Sequence, residues 1–130
     1  MSKYGQAAVR ACELYNMKIV ESPVKAWEKA TSEIFGDGSW GQKKGCPKNA
    51  FLGLCEEGLV ENIPRGTYNS RTTSKNKGYA ITAVNIVREQ PNLLDNINEL
   101  WKQVTNGNGI SHNYQMDVVK ELIIKEYIKI

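Results

Sequence analysis

The stretch from Gly41 to Val60 limits the fold more than any other part of the chain. It reads Gly-Gln-Lys-Lys-Gly-Cys-Pro-Lys-Asn-Ala-Phe-Leu-Gly-Leu-Cys-Glu-Glu-Gly-Leu-Val, a basic loop leading into a short apolar segment. Pro47 suits the first position of a helix, where its missing N–H would have had no partner. Gly58 suits the position just past the last turn, where the backbone goes left-handed and Leu59 can fold back. A helix from Pro47 to Glu57 carrying Phe51, Leu52, Leu54 and Cys55 is too short to stand alone, so its neighbours must bury it. Gly53 within it costs about 1 kcal/mol relative to alanine, which points to another backbone passing close by. The spacing predicts a central helix with a positive loop at its entrance.

The flanking sequence divides into further helices. Tyr4, Ala7, Ala8, Ala11, Leu14 and Tyr15 recur at helical spacing, with Ser2 as the N-cap. Ser22-Pro23 starts a second helix, with Val24, Trp27, Ala30 and Ile34 on one face and Gly36 as its stop. Gly36 to Gly41 reads as the loosest segment. After Gly58, Leu59 to Tyr68 is extended and turn-rich, and Asn69 to Asn76 is a polar loop. Ser74 is placed to cap a helix bearing Tyr79, Ala80, Ala83, Val84 and Val87, which Pro91 ends. Asp95 or Asn96 starts a short helix with Leu94, Ile97, Leu100, Trp101 and Val104 on one face. Ser111 is placed to cap a last helix with Met116, Val119, Leu122, Ile123 and Tyr127 inward. The expectation is an all-α fold: a compact bundle of about six helices in a single domain over residues 1–130. Its core should include Trp27, Phe51, Leu54, Val84, Trp101 and Leu122. A β-hairpin across Leu59 to Tyr68 is the less favoured alternative.

Composition excludes several classes. No apolar run approaches the roughly 18–20 residues of a membrane span, and no basic-then-apolar leader opens the chain. No membrane partner and a cytoplasmic location are the expectation. The three cysteines, Cys12, Cys46 and Cys55, are an odd number and form no disulfide framework. The formal net charge is +3, but Trp40 to Ala80 holds seven basic residues and three acids, so the positive charge is concentrated in the middle.

Those seven cations, Lys43, Lys44, Lys48, Arg65, Arg71, Lys75 and Lys77, are the candidate contacts to nucleic acid or another anionic partner, such as an acidic protein. Trp40 and Tyr68 lie among them and could stack on exposed bases. The plain alternative is a set of solvated loops that keep the chain soluble, with both aromatics packed beneath. A helix-turn-helix does not fit, because Gly36 to Cys46 is far longer than the 3–4-residue turn of that motif. Cys46, near a helix N-terminus and three lysines, sits where reactive thiols occur, but the sole histidine, His112, is distant in sequence. A cysteine-dependent enzyme is therefore a minor alternative, and no catalytic residue is assigned. Cys46 and Cys55 are too widely spaced for a structural zinc site, and no cofactor motif is present. The other class is a protein–protein module using the apolar end Ile124 to Ile130, with a homo-oligomer left open.

The run Gly45 to Val60, the opening Lys3-Tyr4-Gly5-Gln6-Ala7-Ala8 and the stretch Asn113-Tyr114-Gln115-Met116-Asp117-Val118-Val119 together resemble a family of small uncharacterised bacterial and phage proteins. The resemblance covers nearly the whole chain and implies a single-domain protein. It carries no activity, because that family has no assigned function.

Overall fold

In a computed structural model, which describes residues 2–68 and 75–130, the chain is all-α, and no strand occurs among the described residues. Helix α1 spans Lys3–Asn16, α2 Pro23–Phe35, α3 Trp40–Lys43, α4 Gly45–Glu56, α5 Lys75–Glu89, α6 Ile97–Val104 and α7 Gln115–Ile124. A 3-10 turn, Pro91–Asp95, joins α5 to α6. Every residue of the expected core is buried, in one apolar cluster that runs through all the helices except the single turn α3.

The central helix starts two residues earlier than expected, at Gly45, which places Pro47 in its third position. Its missing N–H is harmless there too, because the first four amides of a helix have no intrahelical partner. At the other end Gly58 has φ +72°, and the amides of Gly58 and Leu59 donate to the carbonyls of Cys55 and Leu54 at 3.1 Å. These are the two reciprocal bonds of a Schellman end. Helix α4 packs against α2, α5 and α7, and Phe51 stacks on Trp27 with ring centroids 5.2 Å apart. The close approach expected at Gly53 is the α4–α5 crossing. A Cβ at Gly53 would lie 2.6 Å from Lys77 Cβ and 2.9 Å from Lys77 Cα.

Several expectations need correction. Helix α4 shares the centre with α7, which packs against α1, α4, α5 and α6, and with α5, which packs against α4, α6, α7 and the 3-10 turn. The Gly36–Gly41 segment is not loose, because it contains the start of α3. Ser111 does not cap α7, which begins only at Gln115. Residues 59–68 form turns that bury Val60 and Ile63, and the Glu61 amide donates to the Tyr127 carbonyl at 2.7 Å. The expected cap at Ser74 lies outside the described residues. The chain end is docked, with Ile128 buried and Arg88 Nη2 donating to the Lys129 carbonyl at 3.3 Å. Among the described residues no helix is long and apolar enough to cross a membrane.

The Schellman pattern recurs at the ends of α1, α6 and α7, with Lys18, Asn106 and Glu126 in the left-handed position. Glu126 has φ +63° and is exposed. A residue with a Cβ loses about 1 kcal/mol there, and glycine recovers part of that after its greater unfolded-state entropy is counted. Glu126→Gly should therefore raise stability by about 0.5 kcal/mol in urea unfolding. A loss of stability would show that the Glu126 side chain makes a contact that matters more than its backbone strain.

Candidate binding surface around Trp40

Helix α3 is one turn long, yet it is held at several points. Ser39 Oγ accepts from the Gln42 amide at 3.2 Å and donates to the Gly36 carbonyl at 2.7 Å. The Gln42 side chain accepts from the Gly38 amide at 2.6 Å and donates to the Glu28 carbonyl at 3.0 Å. From α1, the Tyr4 hydroxyl donates to the Gly41 carbonyl at 2.8 Å. Gly41 lies under the Phe35 ring, since a Cβ there would meet Phe35 Cδ1 at 2.5 Å. This mount presents Trp40, which is 92 % exposed. The other two indoles, Trp27 and Trp101, are buried. A large apolar ring held in water by a well-bonded turn is an informative exception to ordinary burial.

Trp40 shares a cleft of about 390 Å³ with Tyr4, Gly41, Lys43 and Lys44. Lys44 Nζ lies 5.9 Å from the centroid of Tyr114, within the range of a cation–π contact. Tyr114 in turn packs on Tyr4 at 4.9 Å, and Tyr4 on Phe35 at 4.6 Å. The surface thus joins an exposed indole, two lysines and a row of rings contributed by α1, α2, α3 and the residue before α7. Lys48 stands apart, in a groove with Lys43 that also holds Glu28, Glu33 and Asp37, so the field on that side is of mixed sign.

Two other cations of the basic window, Lys77 and Arg65, are engaged elsewhere. Lys77 Nζ contacts Glu56 Oε1 at 3.0 Å and Glu57 Oε1 at 3.1 Å, and Arg65 Nη2 contacts Glu57 Oε2 at 3.0 Å. This cluster sits at the C-terminal end of α4, about 18 Å along the axis from Lys44 at 1.5 Å per residue. Burial opposes the charge on Lys77, but its bonds to the two glutamates outweigh that and raise its pKa. Glu57 is held below the usual carboxylate range by the bond and charge of Lys77 and then by Arg65. Two adjacent carboxylates at the negative end of a helix call for cations, and that signal was present in Glu56-Glu57. Tyr68 is half-buried, its amide donating to Glu56 Oε2 at 2.8 Å and its hydroxyl to the Pro64 carbonyl, so its place is beside this cluster. Lys75 is exposed at the start of α5. Arg71 lies outside the described residues.

A model for a family of unknown function, DUF6979, matches residues 1–129. The chain belongs to that family. No curated protein and no solved structure matches it.

The nucleophile candidates of this DUF6979 protein fall in two settings. Cys12 and Cys55 are core thiols, and burial pushes Cys12 up to about 12 and Cys55 well above its ordinary value. Cys46 is half-buried at the second position of α4. His112, the one imidazole that could serve it as a base, has its Nε2 engaged by the Met116 amide at 3.0 Å. No cluster of three or more histidine, cysteine, aspartate or glutamate side chains suited to a metal occurs among the described residues of this DUF6979 protein.

Proposed function

We propose that the protein is a non-catalytic binding protein whose Trp40 surface takes a single strand of nucleic acid. The observation that carries this is the 92 % exposed Trp40 presented on the bonded turn α3 beside Lys43 and Lys44. An unstacked base offers a flat face to an indole, and the adjoining phosphates offer charge to the lysines, so both features are used by one ligand. A duplex, whose bases are already stacked, would use the lysines alone. The separation of Arg65 and Lys77 from this surface argues for a short contact with few phosphates.

Two cations, Lys43 and Lys44, on a single strand give a logarithmic salt slope of about −1.4. Trp40→Ala should weaken binding of a labelled single-stranded oligonucleotide by roughly tenfold or more, since stacking on an aromatic side chain contributes about 1–3 kcal/mol per base. The same substitution should leave stability within about 0.5 kcal/mol, because the ring touches little of the fold. Joint replacement of Lys43 and Lys44 by glutamate should abolish binding at moderate salt. Oligonucleotide affinity indifferent to both changes would end this assignment.

The second reading is a protein–protein module at the chain end. Ile124 and Ile130 are 48 % and 54 % exposed, beside a groove of about 380 Å³ lined by Leu94, Ile123 and Ile128. Truncation cannot test it, because Ile128 is buried and Tyr127 is bonded to the Glu61 amide. Ile124→Lys with Ile130→Lys is the cleaner change. A partner protein that survives nuclease and is lost on that double substitution would favour this second function.

A further inference from the structure

We infer that His112 is a proton-sensitive latch on the N-terminus of α7, which seats Tyr114 against Tyr4 when the imidazole is neutral and releases it when protonated. The inference rests on the Trp40 surface being the binding surface, because Tyr114 carries the ring on which Lys44 sits.

Tyr114 occupies the N-cap position of α7 at φ +70°, and its side chain makes no cap bond. The capping role passes to His112, two residues upstream, whose Nε2 accepts the Met116 amide at 3.0 Å. A backbone amide can only donate, so Nε2 must carry a lone pair and no proton. Protonation converts that acceptor into a second donor facing the amide and leaves Met116 without a partner. It also places a cation at the positive end of a helix, the unfavourable end for one. The ring cannot slide aside freely, since it packs 5.1 Å from Trp101 on one side and 6.4 Å from Tyr114 on the other.

The surrounding charges are few. From α7 itself Asp117 favours the imidazolium, while α6 offers the uncharged Trp101 ring. Beyond Tyr114 stands the Lys44 ammonium. Burial, the largest influence, lowers the His112 pKa, and Asp117 opposes it. Burial likewise raises Asp117, against the charges of His112 and Lys120. The sign follows from the depressed histidine. The closed arrangement is fully favoured above the ordinary value of about 6.5, and it is lost as pH falls through the lower folded value.

His112 is the sole histidine, so its ring resonances titrate without ambiguity. The test follows them together with the Met116 amide by NMR between about pH 7.5 and about pH 5. The latch requires that both share one midpoint below about 6.5, with Met116 protection, corrected for intrinsic exchange, falling about tenfold. His112→Asn keeps an acceptor that does not titrate, and should hold Met116 protected across the range. Titration of His112 with the Met116 amide unmoved would overturn the latch. A labelled single-stranded oligonucleotide added at both ends of the range separates the two ideas. Loss of affinity at acid pH in the natural chain but not in His112→Asn supports latch and surface together. A responsive Met116 with no oligonucleotide binding at any pH supports the latch and refutes the nucleic-acid assignment.

Discussion

Trp27→Ala is expected to lower stability by about 4 kcal/mol, read from urea or thermal unfolding. The indole is buried and stacked on Phe51 at the contact between α2 and α4, so its removal opens a large cavity in the middle of the core. Its Nε1 is also buried, and among the described residues nothing accepts its hydrogen. That unpaired donor is a standing penalty of about 1–3 kcal/mol, which phenylalanine would remove while keeping a ring in place. Trp27→Phe should accordingly cost no more than about 1.5 kcal/mol despite the smaller ring. Equal losses for alanine and phenylalanine would show that the indole nitrogen has a partner of importance.

The second large effect belongs to Gly53. A valine there must push against Lys77 Cα and Cβ, atoms of a helix and not the far end of a flexible chain. Helix α5 would have to shift, and with it the Lys77 ammonium that lies 3.0 Å from Glu56. Overpacking of this kind costs about 1–3 kcal/mol, and separating a half-buried charge from its partner adds to it. The expected loss for Gly53→Val is about 3 kcal/mol. Gly53→Ala should lose less, because the better helix former returns about 1 kcal/mol. Wild-type stability in the valine variant would mean that α4 and α5 do not cross at this residue.

The fold was legible because its punctuation is strong. Ser22-Pro23, Gly36, Gly58, Pro91 and Asn96 each mark a boundary by local backbone chemistry, and the structure uses each as a cap or stop. Gly53 was legible for a different reason: a glycine kept inside a helix needs a neighbour. The misreadings share a cause as well. Ser111 looked like a cap by residue type, but Tyr114 turns left-handed and His112 reaches back instead, which no periodicity shows. Ser39 and Gln42 stand three apart, the spacing of a capping box, and that spacing marks the start of α3.

The candidate site was legible only in part. Trp40, Lys43 and Lys44 are close in sequence and stay close in space. Tyr4 and Tyr114 join them from 36 or more residues away, and only packing could bring them. A charge window counts cations without their partners, so Lys77 and Arg65 looked free until α5 and the 59–68 turns carried them to Glu56 and Glu57.

The contrast among the three indoles gives the folded protein an internal reporter. Trp27 and Trp101 are sealed from solvent while Trp40 is open to it, so a collisional quencher such as iodide or acrylamide reaches one emitter of the three. Whatever covers α3, whether a base, a peptide or a lipid headgroup, must shade that one emitter. Occupancy of the surface can thus be followed in the unlabelled natural chain, before the chemistry of the occupant is known.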